Sequence, residues 1–417
     1  MPPLRFIHAA DLHLDSPFEG LKDSTPPQVR ETLLQATFRA YDRIIDLSIA
    51  ERVDALLVAG DVYDGADRSL AAQLRFLAGL NRLEAAGIRS FVCHGNHDPL
   101  DGWQARLTFP AGCHQFGPSV EAVPFDPSRP DRGTIYGVSY PRQAVRENLA
   151  LRFQRSGPPA PAIGLLHCNV GSNTGHEPYS PCTVDDLVAA GMDYWALGHV
   201  HTRQVLRTQA PTIVYPGNPQ GRHPNELGAR GVYLVELNNG DARLEFRPVD
   251  LVRWHSLSLD IAALADEQAL LDAAVSQVEV ARSNSDGRDV VYRLALTGRG
   301  PLHEVVRRPR FASELQDHLN SLFSTASPFA WCARCSGTTR LSFDRDALRN
   351  AGDFTAEILG VIDRSTDDVE LQEALHAALD DLFSHPVARP LLDGVPSGAG
   401  LQSLLKEAEA RCLEALL

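Results

Sequence analysis

Apolar residues in the first 250 positions come in short unbroken runs: Leu4–His8, Val53–Ala59, Ile88–Cys93, Thr134–Val138, Ala162–Leu166, Tyr194–Leu197, Thr212–Tyr215 and Val232–Leu237. Runs of this length without a polar face predict strands buried on both sides. Between them, apolar positions recurring near every 3.6 residues predict helices over Val29–Ala50 and Leu70–Ala86. Alternating strand and helix predicts a layered α/β domain. The later strands have little helix between them, which predicts a second, partly antiparallel sheet packed on the first.

After Leu251 the pattern changes. Trp254–Ile261 and Val290–Thr297 alternate as strands, Ala263–Ala281 and Phe311–Phe323 have helical periodicity, and Trp331–Phe343 is again β-like. That combination predicts a small α+β domain. From Asp344 the pattern is helical and leucine-rich over Ala347–Ile362, Val369–Phe383 and Leu401–Leu417, with breaks at Pro386, Pro390 and Pro396. The expected organisation is therefore 1–250, 251–343 and 344–417.

Composition adds exclusions. With 417 residues, 44% hydrophobic and 22% charged, the chain is ordinary globular protein, not collagen-like, disulfide-scaffolded or wholly disordered. No apolar run approaches the ~18 residues of a membrane span. The amino-terminal residues run straight into a strand, so no signal peptide is expected. Seven cysteines without framework spacing suit a cytoplasmic location. Cys332 and Cys335 form a C-x-x-C without a second pair at zinc spacing, and are expected to be structural thiols. The net charge of −14 is unevenly placed: residues 344–417 hold fifteen acidic and six basic side chains. Charge therefore argues neither for nor against a nucleic-acid partner.

Five short motifs share one grammar, an apolar strand followed at once by a polar cluster. They are Asp11-Leu12-His13, Gly60-Asp61-Val62-Tyr63-Asp64, Gly95-Asn96-His97-Asp98, His167 and Gly198-His199-Val200-His201. In α/β sheets, sites gather beyond the carboxyl ends of strands, where distant sequence positions converge. The glycines are expected to let the backbone turn the next side chain into the crevice. Asp11, Asp61, Asn96, His13, His167, His199 and His201 make a mixed oxygen and nitrogen donor set without thiolates, which suits Mn, Fe or Zn better than Ca. Seven donors exceed the four of a tetrahedral zinc site. Two ions sharing one carboxylate accommodate them, and such pairs, ~3.5–4 Å apart, serve phosphoryl displacement.

The ordered set D-x-H, G-D-x-x-D, G-N-H-D, H and G-H-x-H resembles the signature of the calcineurin-like metallophosphoesterases. His8 to Leu14 and Tyr215-Pro216-Gly217-Asn218-Pro219-Gln220 look like the SbcD branch, the nuclease subunits of SbcCD-like DNA repair complexes. Asp15 to Leu21 is similar to the YhaO-type exonucleases within it. The resemblance implies a four-layer α/β/β/α sandwich over residues 1–250, a capping domain that shapes DNA access over 251–343, and a helical region over 344–417 where an SMC-like coiled-coil ATPase docks. It implies that Asp11, His13 and His201 hold one ion, that Asp61 bridges, and that Asn96, His167 and His199 complete the other. Mn²⁺ is the implied metal, with Mg²⁺, Fe²⁺ and Zn²⁺ as alternatives.

Within the same resemblance His97 protonates the leaving oxygen while Asp98 orients its ring, and Asp64 orients a ligand or a strand. Arg203, Arg222 and His223 are candidate substrate contacts. The expected activity is that of a DNA exonuclease, 3′ to 5′ with endonuclease capacity, in DNA repair or recombination. Homodimerisation through the early helices is a further implication. Two other readings stand beside this one: a small-molecule or cyclic-nucleotide phosphodiesterase or phosphatase, and a non-catalytic scaffold protein.

Overall fold

The computed structural model describes residues 3–19, 25–65, 69–156, 160–171, 177–238, 240–365, 368–385 and 399–416. His176, the end of the Asp15–Leu21 segment, the prolines at 386, 390 and 396, and Leu417 lie outside the described residues. The chain divides into two compact units, one of Met1–Leu257, Ala274–Leu294 and Ser313–Cys335, the other of Ser258–Ala273, Ala295–Ala312 and Ser336–Leu417.

The elements of the first 250 residues are β1 (Leu4–Ala9), α1 (Pro27–Ala50), β2 (Ala55–Ala59), α2 (Leu70–Ala85), β3 (Arg89–Cys93), β4 (Cys113–Gln115), β5 (Glu121–Pro124), β6 (Thr134–Gly137) and β7 (Ala162–His167). They continue with β8 (Asn169–Val170), β9 (Pro181–Cys182), α3 (Val184–Ala189), β10 (Tyr194–Gly198), β11 (Gln204–Arg207), β12 (Thr212–Tyr215), β13 (Gly231–Asn238) and β14 (Asp241–Pro248). Two six-stranded sheets result, in the orders β14-β13-β1-β2-β3-β4 and β11-β12-β10-β7-β6-β5. β1 to β4 run parallel, with β13 antiparallel to β1. In the second sheet β6, β7, β10 and β12 are parallel, and β5 and β11 pair antiparallel at its edges.

Side-chain parity explains why the strands are continuously apolar. Leu4 and Phe6 on β1, Ala55 and Leu57 on β2, and Phe91 on β3 meet Ile163, Leu165, Tyr194, Ala196 and Val214 in a core between the two sheets. The alternate residues Ile7, Leu56, Val58 and Val92 face Tyr41, Ile44, Phe76 and Leu80 of α1 and α2. On the far side Leu166, Trp195, Leu197 and Ile213 pack on Leu187 of α3 and on Leu149 and Phe153. Each large aliphatic side chain so buried contributes about 1.5–3 kcal/mol. The result is the four-layer α/β/β/α arrangement, with a thin outer layer on the second sheet.

Beyond residue 250 come β15 (Val252–Asp260), α4 (Glu267–Ser283), β16 (Asp289–Thr297), β17 (Arg299–Gly300), α5 (His303–Val306), α6 (Phe311–Phe323), β18 (Ala330–Gly337) and β19 (Arg340–Leu341). β15, β16 and β18 form a three-stranded sheet in that order. The helical region contains α7 (Arg345–Arg349), α8 (Phe354–Arg364), α9 (Val369–Ser384) and α10 (Ala399–Leu416). In the second unit Arg345 donates to Asp363 at 2.6 Å and to Glu409 at 2.8 Å, tying the three helices α7, α8 and α10. The helix expected over Ala347–Ile362 is two helices. The first ends at Arg349 with Asn350 as its cap, Gly352 turns the chain at φ 71°, and Asp353 caps the second through Ala356 N–H, a stop followed by a start that apolar periodicity does not register. No helix among the described residues is long and apolar enough to cross a membrane.

Candidate metal centre

Five strand ends supply the site, and the first two are laced together. Asp11 N–H donates to Gly60 O, His13 N–H to Asp61 O and Leu14 N–H to Val62 O, so the segment after β1 lies along the segment after β2. His199 N–H, after β10, donates to Asp11 Oδ1 at 3.0 Å. This crossing from one sheet to the other requires close approach of the backbones: a Cβ on Gly198 would lie 1.7 Å from Ala59 O. Gly198 therefore provides room rather than the turn expected of it.

Three groups of side chains converge with their ligand atoms within 4.8 Å of one another: Asp11, His13 and His201; Asp11, Asp61 and His167; and His13, Asp64 and His97. The first is the set expected for one ion. The second contains the expected bridging carboxylate, with Asn96 Oδ1 3.0 Å from His167 Nε2. His199 Nε2 lies 2.9 Å from Glu177 O, which makes Nδ1 the acceptor nitrogen of that ring.

The donor set fits divalent cations. His13 Nδ1 lies 2.9 Å from Asp64 Oδ1 and His201 Nδ1 2.7 Å from Glu226 Oε1, so each carboxylate accepts a hydrogen bond from Nδ1 and each ring turns Nε2 toward the cluster. Those two Nε2 atoms face each other at 3.2 Å. Burial, then the nearby Arg222 charge, pushes His13 down to about 4, so the ring is neutral at physiological pH. Two ring nitrogens aimed at each other at this distance suit a cation in their common field, and carboxylates on the remote nitrogens are the partners that metal-bound histidines use. Around His167 the demand for positive charge is equally plain. Burial opposes ionisation of that ring, yet Asp61 at 3.3 Å and then Asp11 raise it to about 9. Burial raises Asp11 to about 6, while His167, His13 and His97 overcome the same effect at Asp61 and hold it well below the carboxylate range.

His97 rests against a different carboxylate from the one expected. Asp98 makes no contact with its ring among the described hydrogen bonds. Instead Asp98 Oδ1 accepts from Gly95 N–H at 2.7 Å and Asp61 N–H at 3.2 Å, and Oδ2 accepts from Val62 N–H and His94 Nδ1, both at 3.0 Å. The ring of His97 meets Asp64, Nδ1 to Oδ1 at 2.9 Å. Neighbouring residues in a tight turn point apart, so Asp98 is drawn down into the strand ends while His97, its side chain 45% exposed, stands in the crevice. Its partial burial disfavours the charged ring, but the Asp64 hydrogen bond and the Asp61 charge outweigh that and raise it to about 9.

Among the expected substrate contacts, Arg222 approaches Asp64 at 3.9 Å, and with His223 lines a cavity of about 410 Å³ beside His201. Arg203 is elsewhere: its guanidinium stacks 3.8 Å above the Phe246 ring on β14, and its pairing with that edge strand takes it out of the set. Two contributors escaped the motif reading. Glu226 follows His201 by 25 residues with no spacing rule to mark it, and the Glu177 carbonyl has no sequence signal. His8 is buried, bonded to Tyr194 OH at 3.0 Å.

Comparison with known proteins agrees with this geometry. The family model for calcineurin-like phosphoesterases matches residues 4–203, and that for the middle domain of metallophosphoesterase YhaO matches 254–340. The chain is 37% identical over 390 residues to the uncharacterized metallophosphoesterase YhaO of Bacillus subtilis (strain 168), covering 93% of this chain and 91% of that one. It is 26% identical over 276 residues to the DNA double-strand break repair protein Mre11 of Sulfurisphaera tokodaii, with 64% and 68% covered. To SbcD, of the SbcCD nuclease of Bacillus subtilis, it is 23% identical over 359 residues, with 75% and 88% covered. Identity above one third, sustained over nine-tenths of both chains, makes this protein a member of the calcineurin-like metallophosphoesterase family, hydrolases of phosphoester bonds.

Proposed function

We propose that the protein is a metal-dependent DNA phosphodiesterase that removes nucleotides from a 3′ end, with Mn²⁺ as its working ion, in DNA repair or recombination. The observation that carries the reading is the shape around the cluster. A cavity of about 410 Å³ adjoins His201 and Arg222, and another of about 420 Å³ adjoins Asn96 and His97. A phosphodiester between them can continue in both directions, as a polymer does and a small ester does not. The similarity to Mre11, named for DNA double-strand break repair, and to the SbcCD nuclease supports the same substrate.

Asp11, His13 and His201 would hold one ion, and Asn96, His167 and His199 the other, with Asp61 shared. When bound, two such ions supply positive charge to phosphoryl oxygens and acidify water. The side chains do the rest. With His97 Nδ1 engaged by Asp64, Nε2 is the nitrogen that gives its proton to the departing 3′ oxygen as the P–O3′ bond breaks and water's oxygen joins phosphorus. Arg222 neutralises phosphate charge on the His201 side. Residues 251–343 act as the DNA-access domain, and 344–417 as the docking region for a coiled-coil ATPase; a homodimer and a cytoplasmic location complete the reading.

The test is digestion of 3′- and 5′-labelled duplex and single-stranded DNA with Mn²⁺, beside Asp61→Ala and a bis-(p-nitrophenyl) phosphate control. Nucleotide release from the 3′ end that disappears in the variant is expected. Turnover of the small ester with DNA left intact, alone and with the ATPase, would replace this reading by a small-molecule phosphodiesterase.

A further inference from the structure

We infer that Trp103 is a stacking platform for a nucleobase, placed on the leaving-group side of the metal centre; the inference rests on the DNA reading above. The cavity of about 420 Å³ beside the cluster is lined by Asn96 and His97 together with Trp103, Pro99 and Gln143. That volume is within the range of sites for nucleotide-sized ligands. Trp103 is 39% exposed, whereas Trp195 and Trp254 are buried to 2% or less. An indole held open to solvent needs a rigid support if it is to receive a ring, and this one has it. On one side Leu100 N–H donates to Tyr140 O at 2.9 Å and Gly102 N–H to Pro99 O at 2.8 Å. On the other, Ala105 N–H donates to the Gln73 side chain on α2 at 2.8 Å. The loop is thus pinned on both flanks of Trp103, which lowers the ordering cost of binding.

The two cavities differ in chemistry in a way that assigns their occupants. The His201 side presents Arg222, His223, Glu19 and Glu226, charged groups of which Arg222 suits phosphate and the carboxylates a sugar hydroxyl. On the His97 side one carboxylate, Asp101, accompanies Trp103, Pro99 and Gln143. Every base has a π face, so an indole there serves all four bases, and the Gln143 amide can bond to a base edge without fixing which. His97 protonates the departing 3′ oxygen, so the nucleotide over Trp103 is the one that supplies this oxygen, the penultimate residue of the 3′ end. Single-base stacking on an aromatic ring is worth between about 5-fold and about 150-fold in binding.

The experiment pairs binding with turnover, using the full chain. Short 3′-terminal oligonucleotides carrying either a base or an abasic residue at the penultimate position are titrated in EDTA, following tryptophan emission and the anisotropy of a 5′ label. Wild type is expected to show quenching and tighter binding of the base-containing strand by about 5-fold or more, and Trp103→Ala to bind both strands alike, with Trp103→Phe recovering part of the preference. The same preference should appear in Mn²⁺-dependent kcat/KM. A wild-type preference that survives in Trp103→Ala overturns the inference while leaving the nuclease intact, as does equal wild-type binding of the two strands alongside DNA digestion. Loss of affinity for both strands equally in Trp103→Ala also overturns it, since that is a structural effect of the loop. If wild type neither digests DNA nor distinguishes the strands, the DNA reading itself fails and takes the inference with it.

Discussion

Replacing each of two carboxylates by its amide separates the roles of Asp64 and Asp98. Asp98 accepts three backbone N–H groups and the His94 ring, with Oδ2 shared by Val62 and His94. In Asp98→Asn one oxygen becomes an NH₂ group, which cannot accept. With Oδ1 kept, Val62 N–H loses its acceptor in a site that is 1% exposed, whereas the His94 ring, with Gln115 Oε1 at its Nε2, can move its proton there and accept from the new NH₂ group. One unsatisfied buried donor costs about 1–3 kcal/mol. Asp64 bonds to side chains instead, to His13 and His97 at 2.9 Å and to Ser16. Asp64→Asn therefore spares the backbone, and its amide oxygen can still accept from both rings, but it removes the negative charge they face. Loss of such a carboxylate partner weakens metal affinity about 10- to 100-fold, and a general acid no longer held protonated by that charge forfeits part of a contribution of about 10²–10⁴ in rate. Urea unfolding of EDTA-treated protein, calorimetric Mn²⁺ titration and turnover of bis-(p-nitrophenyl) phosphate at saturating Mn²⁺ report the three quantities. The expected pattern is a stable, weakly binding, slow Asp64→Asn and an unstable Asp98→Asn. A stable Asp98→Asn that binds Mn²⁺ normally yet is inactive would refute the reasoning and return the His97 partnership to Asp98.

Two further outcomes follow from single contacts. Glu226→Gln keeps the size of the side chain but removes the charge facing His201 Nδ1 at 2.7 Å; Mn²⁺ affinity should fall about 10- to 100-fold in the calorimeter, and a change under about 3-fold would show that Glu226 merely braces the Arg222–Glu226 turn. Burial lowers His8 to about 3 from 6.5, so the unfolded chain takes up the proton first as pH falls. The folded protein is then destabilised between pH 6.5 and about 3 by up to about 1.4 kcal/mol per pH unit from this residue, and is insensitive to it above pH 6.5. Urea midpoints at about pH 5 and about pH 7 should converge in His8→Gln relative to wild type, and an unchanged difference would contradict the assignment.

The fold was legible because its strands are buried on both faces, so each announces itself as an apolar run that needs no partner to be recognised. Thr212–Tyr215 and Phe311–Phe323 are found at their expected bounds. β14 was missed although Ala242, Leu244 and Phe246 alternate with polar residues, because an edge strand with one solvated face carries half the apolar signal. Chain order also indicated which side chains hang from which strand end, and so brought Asp11, His13, Asp61, Asn96, His167 and His201 together. It could not give their directions. Between Asp64 and Asp98 the choice of partner for His97 depends on the course of two irregular turns, and the placement of Arg203 on Phe246 depends on an edge strand that was not foreseen.

Those turns are themselves informative about how the site is held. Asp11, His13, Asp61 and His199 all sit at positive φ, at 53°, 42°, 51° and 99°. Left-handed backbone at non-glycine residues costs of order 1–3 kcal/mol each and persists only where the surroundings over-determine it. Here the surroundings are visible: the backbone lacing of the β1 and β2 segments, His199 N–H on Asp11, and the Asp98 carboxylate under Asp61 and Val62. All of these contacts are made between protein groups, so they offset the strain within the fold itself. That division has a consequence for the two amide variants. Asp98 belongs to the lattice that offsets the strain, so its loss lets several ligands relax together, whereas Asp64 belongs to the rings the lattice supports, so its loss detunes them on a backbone that stays where it was.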